Sequence, residues 1–230
     1  MRRILVVNSK GGCGKTTVAT NLASLYAALG KRTVLYDQDP QLCSHTWLEQ
    51  RPSDLAAIHG VAAHQRVPVG FTRSWCLRIP AETERLVVDT AAAADKPQIL
   101  EHVKSADAIL VPLVPAAIDT RAAVGFIKEL MTVSKYGCVR IGAVVNRIRN
   151  GGSRLGELER VLQTLGMPLV ARLHDNPGYG EASESGLGLH ELDSDDARAE
   201  LGNWQRILAW LEEDESIRLP MPAGASAMHS

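Results

Sequence analysis

The sequence predicts an α/β fold, a single domain built on a doubly wound, mostly parallel sheet flanked by helices. Three observations carry that expectation. Short runs of Val, Ile and Leu recur along the 230 residues without apolar/polar alternation, as in strands covered on both faces. Stretches with helical spacing of apolar residues separate them, so strand and helix take turns. Each run ends on a polar residue, at the sheet edge where such folds hold ligands.

Ile4 to Val7 is the first run and stops at Asn8. A glycine-rich turn follows, and from Thr17 to Leu29 the residues Val18, Leu22, Leu25 and Leu29 recur at helical spacing. Gly30 stands where a helix C-cap is expected. Thr33 to Tyr36 closes a first βαβ unit and runs into Asp37, Asp39 and Pro40. Leu86 to Val88 before Asp89, Ala108 to Val114, and Val139 to Val145 before Asn146 read as further buried strands. Helical stretches lie at Lys96 to Lys104, Thr120 to Tyr136 and Arg154 to Leu165, and a last helix runs from Asp195 to Glu213. Residues 52–83 mix Pro, Arg, His and Trp without a period and are expected to hold one edge strand and a variable loop. Residues 214–230 read as a flexible tail, leaving 1–213 as the domain.

A hydrophobic fraction of 45% and a charged fraction of 22% exclude wholesale disorder. Lys and Arg number 25 against 26 Asp and Glu, so any binding to nucleic acid or anionic lipid must come from a local patch. Cys13, Cys43, Cys76 and Cys138 lie far apart without ligand spacing, which argues against a disulfide framework or a zinc site and suits a reducing cytosol. The opening apolar run is too short for a signal-peptide core, and no later segment reaches membrane-spanning length.

Gly11, Gly12, Cys13, Gly14, Lys15, Thr16 and Thr17 follow a strand and open a helix, the context of a phosphate-binding P-loop. The glycines let backbone N–H groups converge on a polyphosphate at a helix N-terminus. Lys15 reaches the β and γ phosphates, and the Thr16 hydroxyl is a ligand for Mg2+. Cys13 reads as a small residue at the loop's variable position.

Read from Lys10, the loop Lys-Gly-Gly-Cys-Gly-Lys-Thr resembles the deviant Walker A motif of the ParA/MinD family of ATPases. The resemblance implies a P-loop NTPase with ATP and Mg2+ as cofactors, in which Lys10 reaches across a homodimer to the partner's phosphates. Asp37-Gln38-Asp39-Pro40-Gln41 is similar to the family's switch segment. It implies that Asp39 orients the attacking water, near the metal, a task suited to a group that only accepts hydrogen bonds. Leu86 to Thr90 resembles a Walker B strand end, with Asp89 holding the metal, and Val111 to Pro115 the family's following Pro-x-x-Pro segment. Asn146 and Arg147 match the strand end whose Asn meets adenine, and Gly178 to Leu192 resembles the C-terminal family segment. The likeness spans roughly residues 2 to 192.

Within the family, the final helix ends in Glu212-Glu213-Asp214-Glu215, which anionic lipid would repel, so the membrane-cycling MinD branch is the second reading. Only Cys138 follows Asp89, too few for the iron-sulfur branch. The short ParA type remains. It implies a slow, partner-stimulated ATPase that binds DNA non-specifically as an ATP dimer and positions plasmid, chromosome or large cytoplasmic cargo. The expected location is cytoplasmic and nucleoid-associated, with a ParB-like or small basic or coiled-coil partner. Arg147, Arg149 and Arg172, with Arg154 and Arg160 nearby, are the candidate DNA contacts, although Asp175 and Gly178 stand where relatives often place arginines. A metabolic P-loop ligase would leave Lys10 without a purpose, and a plain binding module would not need three chemical motifs.

Overall fold

The computed structural model describes residues 1–64, 72, 77–92, 103–115, 120–137, 139–149 and 153–219. Its strands are β1 (Arg2–Val6), β2 (Thr33–Asp37), β3 (Ile58–Ala62), β4 (Arg85–Asp89), β5 (Ala108–Leu113), β6 (Arg140–Ile148) and β7 (Leu169–His174). They form one sheet in the order β3-β2-β4-β1-β5-β6-β7, and every pairing is parallel. The helices are α1 (Lys15–Ala28), α2 (Cys43–Glu49), α3 (Thr120–Gly137), α4 (Ser153–Leu165), α5 (Gly178–Glu184) and α6 (Asp195–Glu212), with a 3-10 turn at Leu189–Glu191.

The continuous apolar runs follow from two cores. In β1, Ile4 and Val6 face the core that holds α1 and α6, while Leu5 faces the core on the opposite side of the sheet. Ala108 and Leu110 of β5 point to the first, Ile109 and Val111 to the second. Since successive side chains alternate faces and both faces are covered, no polar alternation survives. α1 is buried all round rather than along one stripe, because the 3-10 turn and α6 close over it. Its buried polar groups are paired locally: Thr20 Oγ1 donates to the Thr16 carbonyl (2.9 Å), and Asn21 bridges the Thr17 carbonyl (2.8 Å) and the Leu189 amide (2.7 Å).

α6 is fastened at its middle and at its C-terminal end. Trp204 Nε1 donates to Tyr179 Oη (3.0 Å), while Glu212 accepts from Tyr26 Oη (2.6 Å) and Arg85 (2.6 Å). A second clamp ties α2 to the turn: Arg51 donates to both Glu191 oxygens (2.6 and 2.9 Å), and Trp47 Nε1 to the Leu187 carbonyl (3.1 Å). Burial pushes the Glu191 carboxyl up, but the Arg51 bonds and the Gly188 amide outweigh it and hold it below the usual range.

β3 is the edge strand expected within 52–83. The strand β7 was not legible in sequence, because as an edge strand it is broken by exposed Arg172 and His174. α2 is too short for a period and starts from Leu42 in a left-handed conformation (φ 53°). The helix expected over Lys96 to Lys104 lies outside the described residues except at Val103 and Lys104, which are helical. Cys76 and Cys138 also lie outside them. Residues 214–219 are the described part of the segment expected as a tail. Ile217 and Leu219 pack on the α6 side of the core, and the Leu219 amide donates to Gln205 Oε1 (2.9 Å).

Gly186 sits under the clamp at φ 66°, where an added Cβ would lie 2.4 Å from the Arg51 nitrogen. Gly186→Ala is expected to cost at least about 2 kcal/mol, read as a thermal midpoint lower by roughly 5 °C. Gly30→Ala, also at positive φ but with nothing within 4 Å, is expected to lose less than half as much.

Candidate functional site

The C-terminal ends of β1, β2 and β4 meet at one point, and register decides what stands there. Asp89 pairs with Val6 on one side and Asp37 on the other, so two carboxylates sit next to each other, each 1% exposed. Asp37 is saturated by backbone donors: its Oδ1 accepts from the Asp39 amide (2.9 Å) and its Oδ2 from the His45 amide (2.9 Å). It thereby shapes the turn that carries Asp39 and fixes the start of α2. The sequence reading took Asp37 only as part of the motif; its place as the last residue of a buried strand was the signal for this structural task.

Asp89 has no such partners. Both of its oxygens are buried without a hydrogen bond among the described residues. Burial and the neighbouring Asp37 charge push its carboxyl up to about 7, with the Thr16 and Ser44 hydroxyls and Lys15 pulling the other way. The hydroxyls come close enough to influence Asp89 without reaching bonding geometry. A buried carboxylate with orphaned oxygens and two hydroxyls beside it is a set of hard oxygen ligands that fits a divalent cation such as Mg2+. Thr16 and Asp89, both expected as metal residues, are thus brought together.

The P-loop wraps over this point. Asn8, two residues past β1, donates to the Pro112 carbonyl (2.7 Å), while its Oδ1 accepts from the Lys10 amide (3.0 Å), so the loop's first turn is anchored to β5. Gly14 caps α1 at φ 94°, and a Cβ there would lie 2.0 Å from Asn146 Nδ2. Lys15 is buried and its Nζ donates to the Lys10 carbonyl (3.2 Å), which also accepts from the Cys13 thiol (3.3 Å). Burial raises the Cys13 thiol above its ordinary range, more than Lys15 lowers it, which leaves Cys13 poorly reactive.

A cavity of about 580 Å³ opens over the loop. Gly11, Gly12, Gly14, Lys15, Thr16 and Thr17 line it together with Asp39 and Arg147. Asp39 is half-buried at its rim, with Oδ1 accepting from the Gln41 amide (2.9 Å) and Oδ2 facing the Ala92 amide (3.4 Å). Lys10 is exposed and stands outside the lining. Cys43 lies on the rim, a contact the sequence reading missed.

Asn146, expected to meet the base, is placed against the P-loop. It is 3% exposed, with Nδ2 donating to the Cys13 carbonyl (3.1 Å) and Oδ1 accepting from the Arg147 amide (2.9 Å). Its amide holds the P-loop instead of facing the cavity, and the turn it makes throws Arg147 into a left-handed conformation (φ 55°). The arginines expected on DNA differ in their partners. Arg147 is exposed and has no ion-pair partner among the described residues. Arg149 pairs with Asp175 (2.7 Å) and Arg172 with Glu159 (2.7 Å).

The family model described as the CobQ/CobB/MinD/ParA nucleotide binding domain matches residues 4–189. The chain is 28% identical over 216 residues to the Maintenance of carboxysome distribution protein A of Gloeobacter kilaueensis, across 93% of this chain and 95% of that protein. Among solved structures, a Cyanothece McdA–ATP complex superposes with a TM-score of 0.70 at 14% identity, covering 95% of this chain and 98% of that one. The MinD cell division protein of Aquifex aeolicus does so at 0.68 and 19%, covering 96% and 100%. These two share the fold.

The raised Asp89 carboxyl has a measurable consequence. Relative to the ordinary value of 3.8, the folded protein keeps this proton up to about pH 7. The stability associated with it is therefore present at acid pH and lost as pH rises through 7. Asp89→Asn is expected to melt higher than the parent at pH 8 in the absence of nucleotide and metal, by an amount that shrinks towards pH 5. Thermal melts of both proteins across that range check it.

Proposed function

The chain belongs to the CobQ/CobB/MinD/ParA nucleotide-binding family, and on that premise we propose that it is an ATP-dependent dimerisation switch that hydrolyses ATP slowly. In this reading the ATP-bound dimer binds DNA without sequence preference and positions a large cargo over the nucleoid. The observation that carries the reading is the single cavity in which the P-loop, Asp39 and Arg147 converge above the Asp89 carboxylate. Its volume suits a nucleotide.

The chemistry is divided among named groups. Lys15 exchanges the Lys10 carbonyl for the β and γ phosphates, and the loop amides from Gly11 to Thr17 take the remaining phosphate oxygens. Mg2+, when bound, screens the phosphate charge, held by the Thr16 hydroxyl and by Asp89. Asp39 orients the attacking water from the rim. Lys10, exposed and outside the lining of its own cavity, serves the nucleotide of a second protomer in this reading, which makes turnover depend on dimerisation. Arg147 lies beside the cavity, where it can contact nucleotide or partner.

The cargo reading draws on the Gloeobacter relative, whose name assigns it to carboxysome distribution. A ParB-like protein, or a small basic or coiled-coil one, is the stimulating partner proposed here. The alternative of a membrane-cycling regulator is less well supported. Trp204, Ile207, Leu208 and Leu211 of α6 are buried in the domain, and Met1 is the one exposed large apolar residue among those described. No helix among the described residues is long and apolar enough to cross a membrane.

Asp39→Ala should retain nucleotide binding and accumulate as a dimer with ATP and Mg2+, because it removes the water's acceptor and leaves the P-loop intact. Sedimentation checks this; a variant that stays monomeric at saturating ATP contradicts the assignment.

That trapped dimer should shift duplex DNA at low salt, with affinity falling steeply as salt rises. Arg147→Glu is expected to weaken binding most, since Arg149 and Arg172 already share their charge with carboxylates, although such exposed pairs are weak enough to be exchanged for phosphates. Absence of a shift at micromolar protein, together with binding to anionic liposomes, favours the membrane-cycling reading instead.

A further inference from the structure

Ser44 is the second residue of α2, and none of it is exposed. Its Oγ nevertheless has no hydrogen-bond partner among the described residues. Buried hydroxyls are seldom left so, and a helical serine ordinarily turns back on the carbonyl one turn earlier. The group it stands beside is Asp89, whose two oxygens are equally unpaired. Two hydroxyls on different elements, Thr16 of α1 and Ser44 of α2, therefore lie beside one buried carboxylate whose oxygens have no hydrogen bond among the described residues.

The backbone around Ser44 is held from both sides. The His45 amide donates to Asp37 Oδ2 (2.9 Å), while Trp47 of α2 and Arg51 just after it are tied to Leu187 and Glu191. The hydroxyl is thus presented to Asp89 by a fixed turn. A carboxylate that serves a metal needs a second donor to set its orientation. If Thr16 is engaged by the cation, Ser44 supplies the other hydroxyl.

We propose that Ser44 is a positioning residue of the metal site, its hydroxyl donating to the Asp89 carboxylate when Mg2+ is bound and so coupling α2, which follows Asp39, to occupancy of the site. The inference rests on the nucleotide and Mg2+ reading above. It adds a task for a residue outside the recognised motifs.

The test is Ser44→Ala, measured by calorimetric titration of Mg2+ into protein saturated with ADP, alongside ADP affinity in EDTA and the melting midpoint without ligand. The Mg2+ dissociation constant is expected to rise about tenfold. ADP affinity in EDTA should stay within about twofold, and the midpoint should not fall, since alanine removes only an unpaired hydroxyl. Ser44→Cys, of similar size with a weak donor, should move the Mg2+ constant in the same direction and serves if the alanine variant does not fold. A Mg2+ constant unchanged within about twofold in the folded variants, with the parent binding Mg2+ normally, overturns the role of Ser44 alone. ADP binding by the parent that ignores Mg2+ overturns both this role and the metal reading beneath it.

Discussion

Two carboxylates side by side in a dry sheet edge are the constraint around which this molecule is organised. Parallel register brings Asp37 and Asp89 together at the ends of β2 and β4, and like charges so buried are tolerated only if their surroundings treat them differently. Asp37 receives two backbone amides, which hold its carboxylate in place and build the turn leading to α2. Asp89 receives none and keeps its oxygens open. One residue is spent on architecture and the other is left available for chemistry, a division made by which amides the chain turns toward each.

The remaining features protect that arrangement from a distance. The Asn8 and Asn146 amides pin the P-loop to β5 and β6, so the loop does not rely on a ligand for its shape. The Arg51–Glu191 pair and the Trp47 indole fasten α2 to the segment leading into α6. A buried ion pair of this kind contributes little net stability but resists being replaced by another packing. Its value here is that α2, only seven residues long, could not hold its own position by helix propensity.

Much of this was legible in the sequence, for identifiable reasons. The central strands β1, β4, β5 and β6 carry unbroken apolar runs because both their faces are covered, and such runs cannot be read as loops. The P-loop, Asp39 and Asp89 were legible because their spacing is tied to backbone chemistry. Edge strand β7 and the short α2 were not, since neither buries enough to impose a period. Asn146 shows the limit of inference from a motif: its position at the strand end was readable, but the side chain's partner depended on how closely Gly14 approaches it. Arg149 and Arg172 likewise looked like free cations until tertiary contacts brought Asp175 and Glu159 to them.

The contact between the Lys15 ammonium and the Lys10 carbonyl has a consequence for timing. A cation of the P-loop that owns an internal acceptor is held in place by the fold itself, with its charge answered by an atom of its own loop. Arrival of nucleotide is an exchange of one oxygen for another, and departure restores the original contact. On the nucleotide reading proposed above, such a cradle can be emptied and refilled without melting.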